Sequence, residues 1–131
     1  MENVAAPVAA PKQKSPILAA IGSFFIPGLG QVYNGEGFLK GLLYIIGVSV
    51  GSIILLIPGI LIWIYGIYNA YSVAKKINAG LIPFKETTTV SLIIYVILAL
   101  IIYIVIFVII ALFVAIILAL IFGMSNIPTS Y

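Results

Sequence analysis

The side chains able to carry chemistry are few in this chain, and two of opposite charge lie one helical turn apart. Glu36 and Lys40 have the i,i+4 spacing of a helical ion pair at the start of an apolar segment. Inside a membrane, such a pair could relay a proton or clamp a substrate. At the level of the lipid headgroups, it would be an ordinary ion pair that stabilises the helix by roughly 0.2–0.5 kcal/mol. We favour the ordinary ion pair.

The missing residue types exclude most catalytic chemistry. The chain contains no Cys, His, Asp or Arg. Disulfides, thiolate nucleophiles, imidazole bases and almost all transition-metal sites are therefore excluded. The net charge of +3 comes from six lysines against three glutamates, which is too small and too scattered for nucleic-acid binding. We predict no catalytic residue, no metal, no cofactor and no nucleic-acid partner.

A glycine-rich stretch, residues 27–37, resembles a phosphate-binding loop only superficially. The spacing of Gly28, Gly30 and Gly35 differs from Gly-x-Gly-x-x-Gly, and no strand precedes it. The stretch also carries Gln31 and Asn34. Because exposed backbone is not tolerated in bare lipid, we predict a tight turn at the membrane interface or buried against protein.

The segment from Leu92 to Phe122 has no charged residue, glycine or proline. An apolar helix of this length is typical of a membrane span. The composition agrees, because 64% of the residues are hydrophobic and 7% are charged, against roughly 25% charged in soluble domains. The sequence therefore predicts a multi-pass protein of the cell membrane, with the lipid bilayer as its main partner.

The predicted fold is an all-α membrane protein with a short interfacial or re-entrant helix, a tight transmembrane helix hairpin and one long C-terminal transmembrane helix. Ser15 and Pro16 form a helix-start signal, and the helix that follows rises only about 15 Å, half of a bilayer core. The predicted segments are a disordered cytoplasmic tail (1–14), the short helix (16–26), the glycine-rich turn (27–37), spans 38–57 and 60–76 within a unit 15–79, a cytoplasmic loop (80–87), the long helix (88–122) and a tail (123–131).

The long helix raises an alternative. A helix over residues 88–122 would reach about 52 Å, more than a bilayer needs. It could instead be a hairpin of two short halves. A hairpin needs a turn, and no Gly, Pro, Asn or Ser lies between Leu92 and Phe122. We favour one long helix that tilts or projects beyond the bilayer.

Small residues predict where helices approach closely. Gly47 and Gly51 have Gly-x-x-x-Gly spacing, and we expect their face to pack on that of Gly66 and Ala70 across the Pro58-Gly59 turn. Asn69 could bond across the hairpin to Ser49, Ser52 or the Gln31–Asn34 stretch, or it could contact a substrate. The candidate turn and packing residues are Gly28, Gly30, Tyr33, Gly35, Gly47, Gly51, Gly66, Asn69 and Ala70. The candidate interfacial anchors are Lys40, Trp63, Tyr68, Tyr71, Lys75 and Lys76.

The long helix carries a small-x-x-x-small series at Ala111, Ala115 and Ala119. This series could pack on the hairpin, on a second copy of the chain or on another membrane protein. Chance occurrence in so apolar a segment is an equally good explanation.

The lysines predict the threading. If the first helix crossed the membrane, Lys12 and Lys14 would lie on the opposite side from the other four lysines. If that helix only dips or lies flat, all six lysines fall on one side, which fits the positive-inside rule better. We therefore predict a cytoplasmic N-terminus. The side of the C-terminus is left open, because no charge lies near it.

An ordered set of motifs covers residues 14–78, about half of the chain. It consists of Lys14-Ser15-Pro16, Ala19-Ala20, Phe24-Phe25, the run from Pro27 to Gly35, Lys40-Gly41, and the run from Pro58 to Ala70 that contains Trp63. This order resembles the TM2 domain family. Family members often have a charged residue at the turn and an acidic residue after the Trp, where this chain has Gln31-Val32-Tyr33 and Asn69. The resemblance implies a small multi-pass membrane protein of poorly defined molecular function, not a known enzyme.

Three functions remain open. The first is a non-catalytic helix-packing or interaction module. It fits a sequence that has several small-residue series for close helix packing and no set of catalytic side chains. The second is a small channel or transporter component, although the spans offer few of the polar groups that a pathway usually needs. The third is a membrane enzyme relying on Glu36, Lys40, Glu86 and tyrosines. We favour the first.

Overall fold

The computed structural model describes residues 10–125, and within this range the fold is all-helical. The predicted all-α class is confirmed at this level, whereas residues 1–9 and 126–131 of the predicted tails lie outside the described range. Two compact units follow each other along the chain, the first ending at Val96 and the second beginning at Ile97. The helices are α1 (Pro16–Phe25), α2 (Leu29–Tyr33), α3 (Phe38–Ile54), α4 (Leu56–Asn78) and α5 (Thr89–Ser125).

Helix α1 begins as the sequence predicts. Ser15 is the N-cap in an extended conformation, and its hydroxyl accepts a hydrogen bond from the Leu18 N–H at 3.3 Å. Pro16 occupies the first helical position, where a missing N–H has no consequence. The helix has ten residues and ends just before Pro27.

The glycine-rich stretch contains a short helix that was not predicted. Helix α2 follows Gly28, whose φ of 90° lies in the left-handed region. A Cβ atom on Gly28 would also lie 2.1 Å from the Gly41 carbonyl oxygen. Both the backbone conformation and this close contact therefore require glycine at position 28. Gln31 and Asn34 are buried against the other helices of the first unit, which is one of the two predicted settings for this stretch.

The turn between α3 and α4 lies earlier than expected. Leu55 alone separates the two helices, and Pro58 is the third residue of α4. Proline is tolerated in the first turn of a helix, because the N–H groups there have no helical partner. The Pro58-Gly59 pair therefore marks the start of α4 and not the turn.

Small residues bring α3 and α4 together at two levels. A Cβ atom on Gly51 would lie 2.9 Å from the backbone nitrogen of Gly59. One on Gly66 would lie 2.9 Å from the ring of Tyr44. The backbones of α3 and α4 therefore approach closely near the turn. Further from the turn, the ring of Tyr44 fills the space between the two helices.

This register differs from the predicted pairing of Gly47 and Gly51 with Gly66 and Ala70. In an antiparallel hairpin, the residues that face each other lie at equal distances from the turn. Once the turn lies at Leu55, Gly51 must face the first turn of α4, and Gly66 must face the first half of α3. The prediction identified small residues at helix contacts but not their partners.

One core cluster of the first unit is made of alanines. Ala19 of α1 packs with Ala70 and Ala74 of α4, all three are fully buried, and the ring of Tyr33 lies against them. Small side chains at four-residue spacing on α4 let α1 approach its backbone closely. Ala70 and Ala74 of α4 thus contact α1.

Helix α5 is one continuous helix of 37 residues. This is the arrangement that the sequence favours over a hairpin of two short helices. Thr88 caps it, because its hydroxyl accepts a hydrogen bond from the Ser91 N–H at 3.2 Å. In the second unit, every residue from 107 to 123 is exposed. By length and composition, α4 and residues 89–123 of α5 could each cross a membrane, with mean hydropathies of 1.4 and 3.7.

Candidate functional site

A buried hydrogen-bond network around Gln31 joins α1, α2 and α4. The Gln31 side chain is fully buried, and its Nε2 donates to the Gly66 carbonyl at 2.8 Å and to Asn69 Oδ1 at 3.4 Å. Its Oε1 accepts from the Ser23 hydroxyl at 3.0 Å, and that hydroxyl accepts from the Gly30 N–H at 3.0 Å. The predicted bond between Asn69 and the glycine-rich stretch is confirmed. Buried amides that are fully bonded in this way fix helices at one register.

A second amide extends this network toward the end of α2. Asn34 is 2% exposed, and its Nδ2 donates to the Ala70 carbonyl at 2.8 Å. Both amides of α2 therefore bond to backbone carbonyls of α4, one helical turn apart. Hydrogen bonds to backbone carbonyls do not depend on a particular side chain of α4. The sequence of α4 therefore does not reveal them.

Lys14 is buried just before α1. Only 6% of it is exposed, and its ammonium donates to the Tyr33 carbonyl at 2.8 Å and to the Thr87 hydroxyl at 3.5 Å. The ammonium also lies 5.0 Å from the ring centre of Tyr33 and 4.9 Å from that of Phe84. This is a cation enclosed by two aromatic faces. The composition of residues 1–14 predicts a free tail, and Lys14 departs from that expectation.

The backbone of Lys14 is held as firmly as its side chain. Its N–H donates to Asn78 Oδ1 at 2.8 Å, and its carbonyl accepts from Asn78 Nδ2 at 2.7 Å. The next residue, Ser15, donates its N–H to the Tyr33 hydroxyl at 2.9 Å. These bonds place the segment before α1 beside the end of α4.

Charges near this segment are complementary. Lys12 and Glu86 form an exposed ion pair. Burial lowers the pKa of the Lys14 ammonium, and the nearby Glu86 carboxylate opposes that shift. The pKa of Glu86 is lowered, chiefly by its hydrogen bond to Lys12. The predicted ion pair of Glu36 and Lys40 is also present.

Removing the Lys14 ammonium should loosen this junction. We expect Lys14→Met to lower the free energy of unfolding by about 2–3 kcal/mol, because two bonds to a charged donor and its aromatic contacts are lost. Lys12→Met makes the same chemical change in an exposed pair and should have little effect. The measurement is unfolding by sodium dodecyl sulfate followed by the fluorescence of Trp63. Equal midpoints for the two variants would contradict the structural role of Lys14.

The predicted anchors fall into three groups. Lys40 lies on α3 and forms the ion pair with Glu36. Trp63 faces α1, since its indole N–H donates to the Phe24 carbonyl at 3.0 Å and its ring lies 5.0 Å from that of Phe24. The others lie on the outer face toward the end of α4, where they are exposed: Tyr68, Tyr71, Lys75 and Lys76.

Sequence reasoning missed several residues of these networks: Lys14, Ser23, Asn78 and Thr87. It also assigned no role to Tyr95, which is fully buried and whose hydroxyl donates to the Pro27 carbonyl at 2.8 Å. A tyrosine near the start of a largely apolar helix is the available signal, because a buried Tyr hydroxyl needs a partner.

Comparison with known proteins adds similarity but no activity. No family model matches the chain. The chain is 44% identical over 71 residues to Uncharacterized protein MJ1516 of Methanocaldococcus jannaschii. The alignment covers 53% of this chain and 61% of that relative, so the chain spans less than two thirds of the relative's length. No solved structure matches.

Proposed function

We propose that this protein is a multi-pass integral membrane protein that acts as a non-catalytic helix-packing and interaction module. The observation that supports this function best is the apolar surface of residues 107–123, where every residue is exposed. Water solvates such a surface poorly, so lipid or another apolar helix must cover it. The resemblance of residues 14–78 to the TM2 domain family belongs to the same proposal.

The polar groups of the first unit support a structural role over a catalytic one. Gln31, Asn34 and Ser23 form hydrogen bonds between helices, mostly with backbone partners. Groups used in this way hold helices at a fixed register. We infer that the first unit is a rigid base and that the apolar surface of α5 is the interacting element.

The threading is part of the proposal. Lys12 pairs with Glu86, and Lys14 bonds to Asn78, so the chain before α1 and the loop after α4 lie side by side. This proximity supports a first helix that does not cross the bilayer and a single lysine-rich side. We propose that this side is cytoplasmic and that the bilayer is the cell membrane.

Crosslinking from α5 tests the interaction role. With p-benzoylphenylalanine in place of Ala115, ultraviolet irradiation of intact membranes should give a discrete protein adduct, either with a second copy or with another membrane protein. The matched control has the same group in place of Phe113, which lies on a different face of the same helix. We expect the adduct only from position 115, because small residues mark the face of closest approach.

Two results would contradict the proposal. Adducts with lipid alone from both positions would remove the interaction role. Solute or ion movement by the purified protein in proteoliposomes, beyond that of empty vesicles, would replace it with a channel or transporter function.

A further inference from the structure

One face of α4 combines positive charge, hydroxyl groups and aromatic rings. Its residues recur at i, i+3, i+4, i+7 and i+8, which places them in one stripe along the helix. The opposite face is the one buried against the rest of the first unit, including Gly66, Ala70 and Ala74. The stripe consists of four exposed residues and the half-buried Ser72: Tyr68, Tyr71, Ser72, Lys75 and Lys76.

A loop residue closes this stripe into a cleft. After α4 the chain reverses at Gly80, whose φ is 74°, and the Leu81 N–H donates to the Lys76 carbonyl at 2.9 Å. Leu81 thereby forms one wall of a cleft of about 390 Å³ over the stripe. Leu81 itself is 75% exposed. The cleft therefore has a cationic floor and an apolar rim.

Among residues 10–125, no carboxylate pairs with the two lysines of the cleft. Within residues 10–125, both glutamates are already paired, Glu36 with Lys40 and Glu86 with Lys12. Lys75 and Lys76 form no ion pair in that range, and no carboxylate lines the cleft there. Two of the four lysines without an ion pair in that range therefore lie together where an anion could approach them.

Neither ammonium is required to cap the helix. The last carbonyls of α4 accept hydrogen bonds from backbone groups of the reversal, including the Ala79 and Leu81 N–H groups. The Lys75 ammonium instead lies 5.7 Å from the ring centre of Tyr71, which holds it over the cleft. Both lysines are therefore available for a ligand.

We propose that this cleft binds the headgroup of an anionic glycerophospholipid. The phosphate diester would lie between the two ammonium groups, with the hydroxyls of Ser72 and Tyr71 as further donors, and the acyl chains would pass Leu81 and Tyr68. A free phosphate shares the anionic chemistry but leaves the apolar rim unused. The proposal rests on the proposed membrane function, because it places the cleft at the lipid headgroup level.

The test compares two double variants that remove the same charge. Native mass spectrometry of the purified chain in mixed micelles counts bound dioleoylphosphatidylglycerol, with dioleoylphosphatidylcholine as the neutral lipid. We expect Lys75→Gln with Lys76→Gln to weaken dioleoylphosphatidylglycerol binding about 10- to 30-fold. Lys12→Gln with Lys85→Gln should weaken it less than about threefold, because those lysines lie outside the cleft.

The source of the anion is decided in the same experiment. Inorganic phosphate at millimolar concentration should not displace the lipid. Displacement by phosphate, equal effects of the two double variants, or equal binding of the neutral lipid would each overturn the proposal. Extraction of membranes with alkaline carbonate is measured in parallel. A chain that stays in the membrane but shows no lipid preference contradicts this site alone, whereas a chain that is extracted contradicts the membrane function.

Discussion

Replacing Gly30 by alanine is expected to lower the free energy of unfolding by about 3 kcal/mol or more, because a backbone carbonyl occupies the space the methyl group would need. A Cβ atom on Gly30 would lie 2.1 Å from the Ala19 carbonyl oxygen and 2.6 Å from the Ala70 Cβ. Both neighbours belong to the alanine core, so neither can move without separating α1 from α4. The variant should also lose the hydrogen bond from the Gly30 N–H to Ser23.

Gly22→Ala is the matched control for this change. Gly22 is also helical and half-buried, but a Cβ atom there would meet its nearest neighbours at 3.5 Å, an ordinary contact. Alanine favours a helix over glycine by up to about 1 kcal/mol, so Gly22→Ala should be neutral or stabilising. Unfolding by sodium dodecyl sulfate, followed by Trp63 fluorescence, measures both variants. If both shift the midpoint equally, the close approach at Gly30 is not what holds the helices.

Gln31→Leu should destabilise the first unit by about 2–4 kcal/mol, although leucine fills a similar volume. The substitution removes the bonds to Gly66, Asn69 and Ser23, and leaves a buried carbonyl and a buried hydroxyl without these partners. Buried polar groups that lose their hydrogen-bond partners destabilise the fold. The leucine side chain compensates little for this loss, because it fills a volume similar to that of the glutamine.

The chain offers a control in Gln13→Leu. Gln13 is exposed, so the same chemical change there should alter the free energy of unfolding by less than about 0.5 kcal/mol. Thermal unfolding in detergent, followed by circular dichroism, compares the two. A midpoint for Gln31→Leu that matches that of Gln13→Leu would show that the buried amide network does not stabilise the fold.

The features that the sequence predicts well depend on near neighbours in the chain. The Ser15 cap, the Glu36–Lys40 pair and the unbroken α5 each follow from residues within one or two turns of one another. The Pro58-Gly59 pair shows the limit of such reasoning, because proline serves equally as a turn residue and as an early helix residue. When the turn is placed at Pro58-Gly59 instead of Leu55, the predicted register of the whole hairpin shifts. The glycines of α3 and α4 are then assigned the wrong partners.

The features that the sequence does not predict are contacts across long stretches of chain. Lys14 and Asn78 are 64 residues apart, and Tyr95 and Pro27 are 68 apart. Lys14 looks like one more charge of a polar tail, because nothing near it in sequence indicates two aromatic rings. Gln31 was recognised as a polar residue that needs a buried or interfacial setting, but its bond to the Gly66 carbonyl involves no side chain on α4.

Cysteine accessibility in sealed vesicles of known orientation tests the threading most directly, since the native chain has no cysteine. Gln13→Cys and Lys85→Cys replace exposed residues on the two segments that lie side by side, and Leu55→Cys replaces the exposed residue at the α3–α4 turn. We predict that a membrane-impermeant maleimide labels positions 13 and 85 from the same side of the bilayer, and position 55 from the other side. Labelling of positions 13 and 85 from opposite sides would contradict the account.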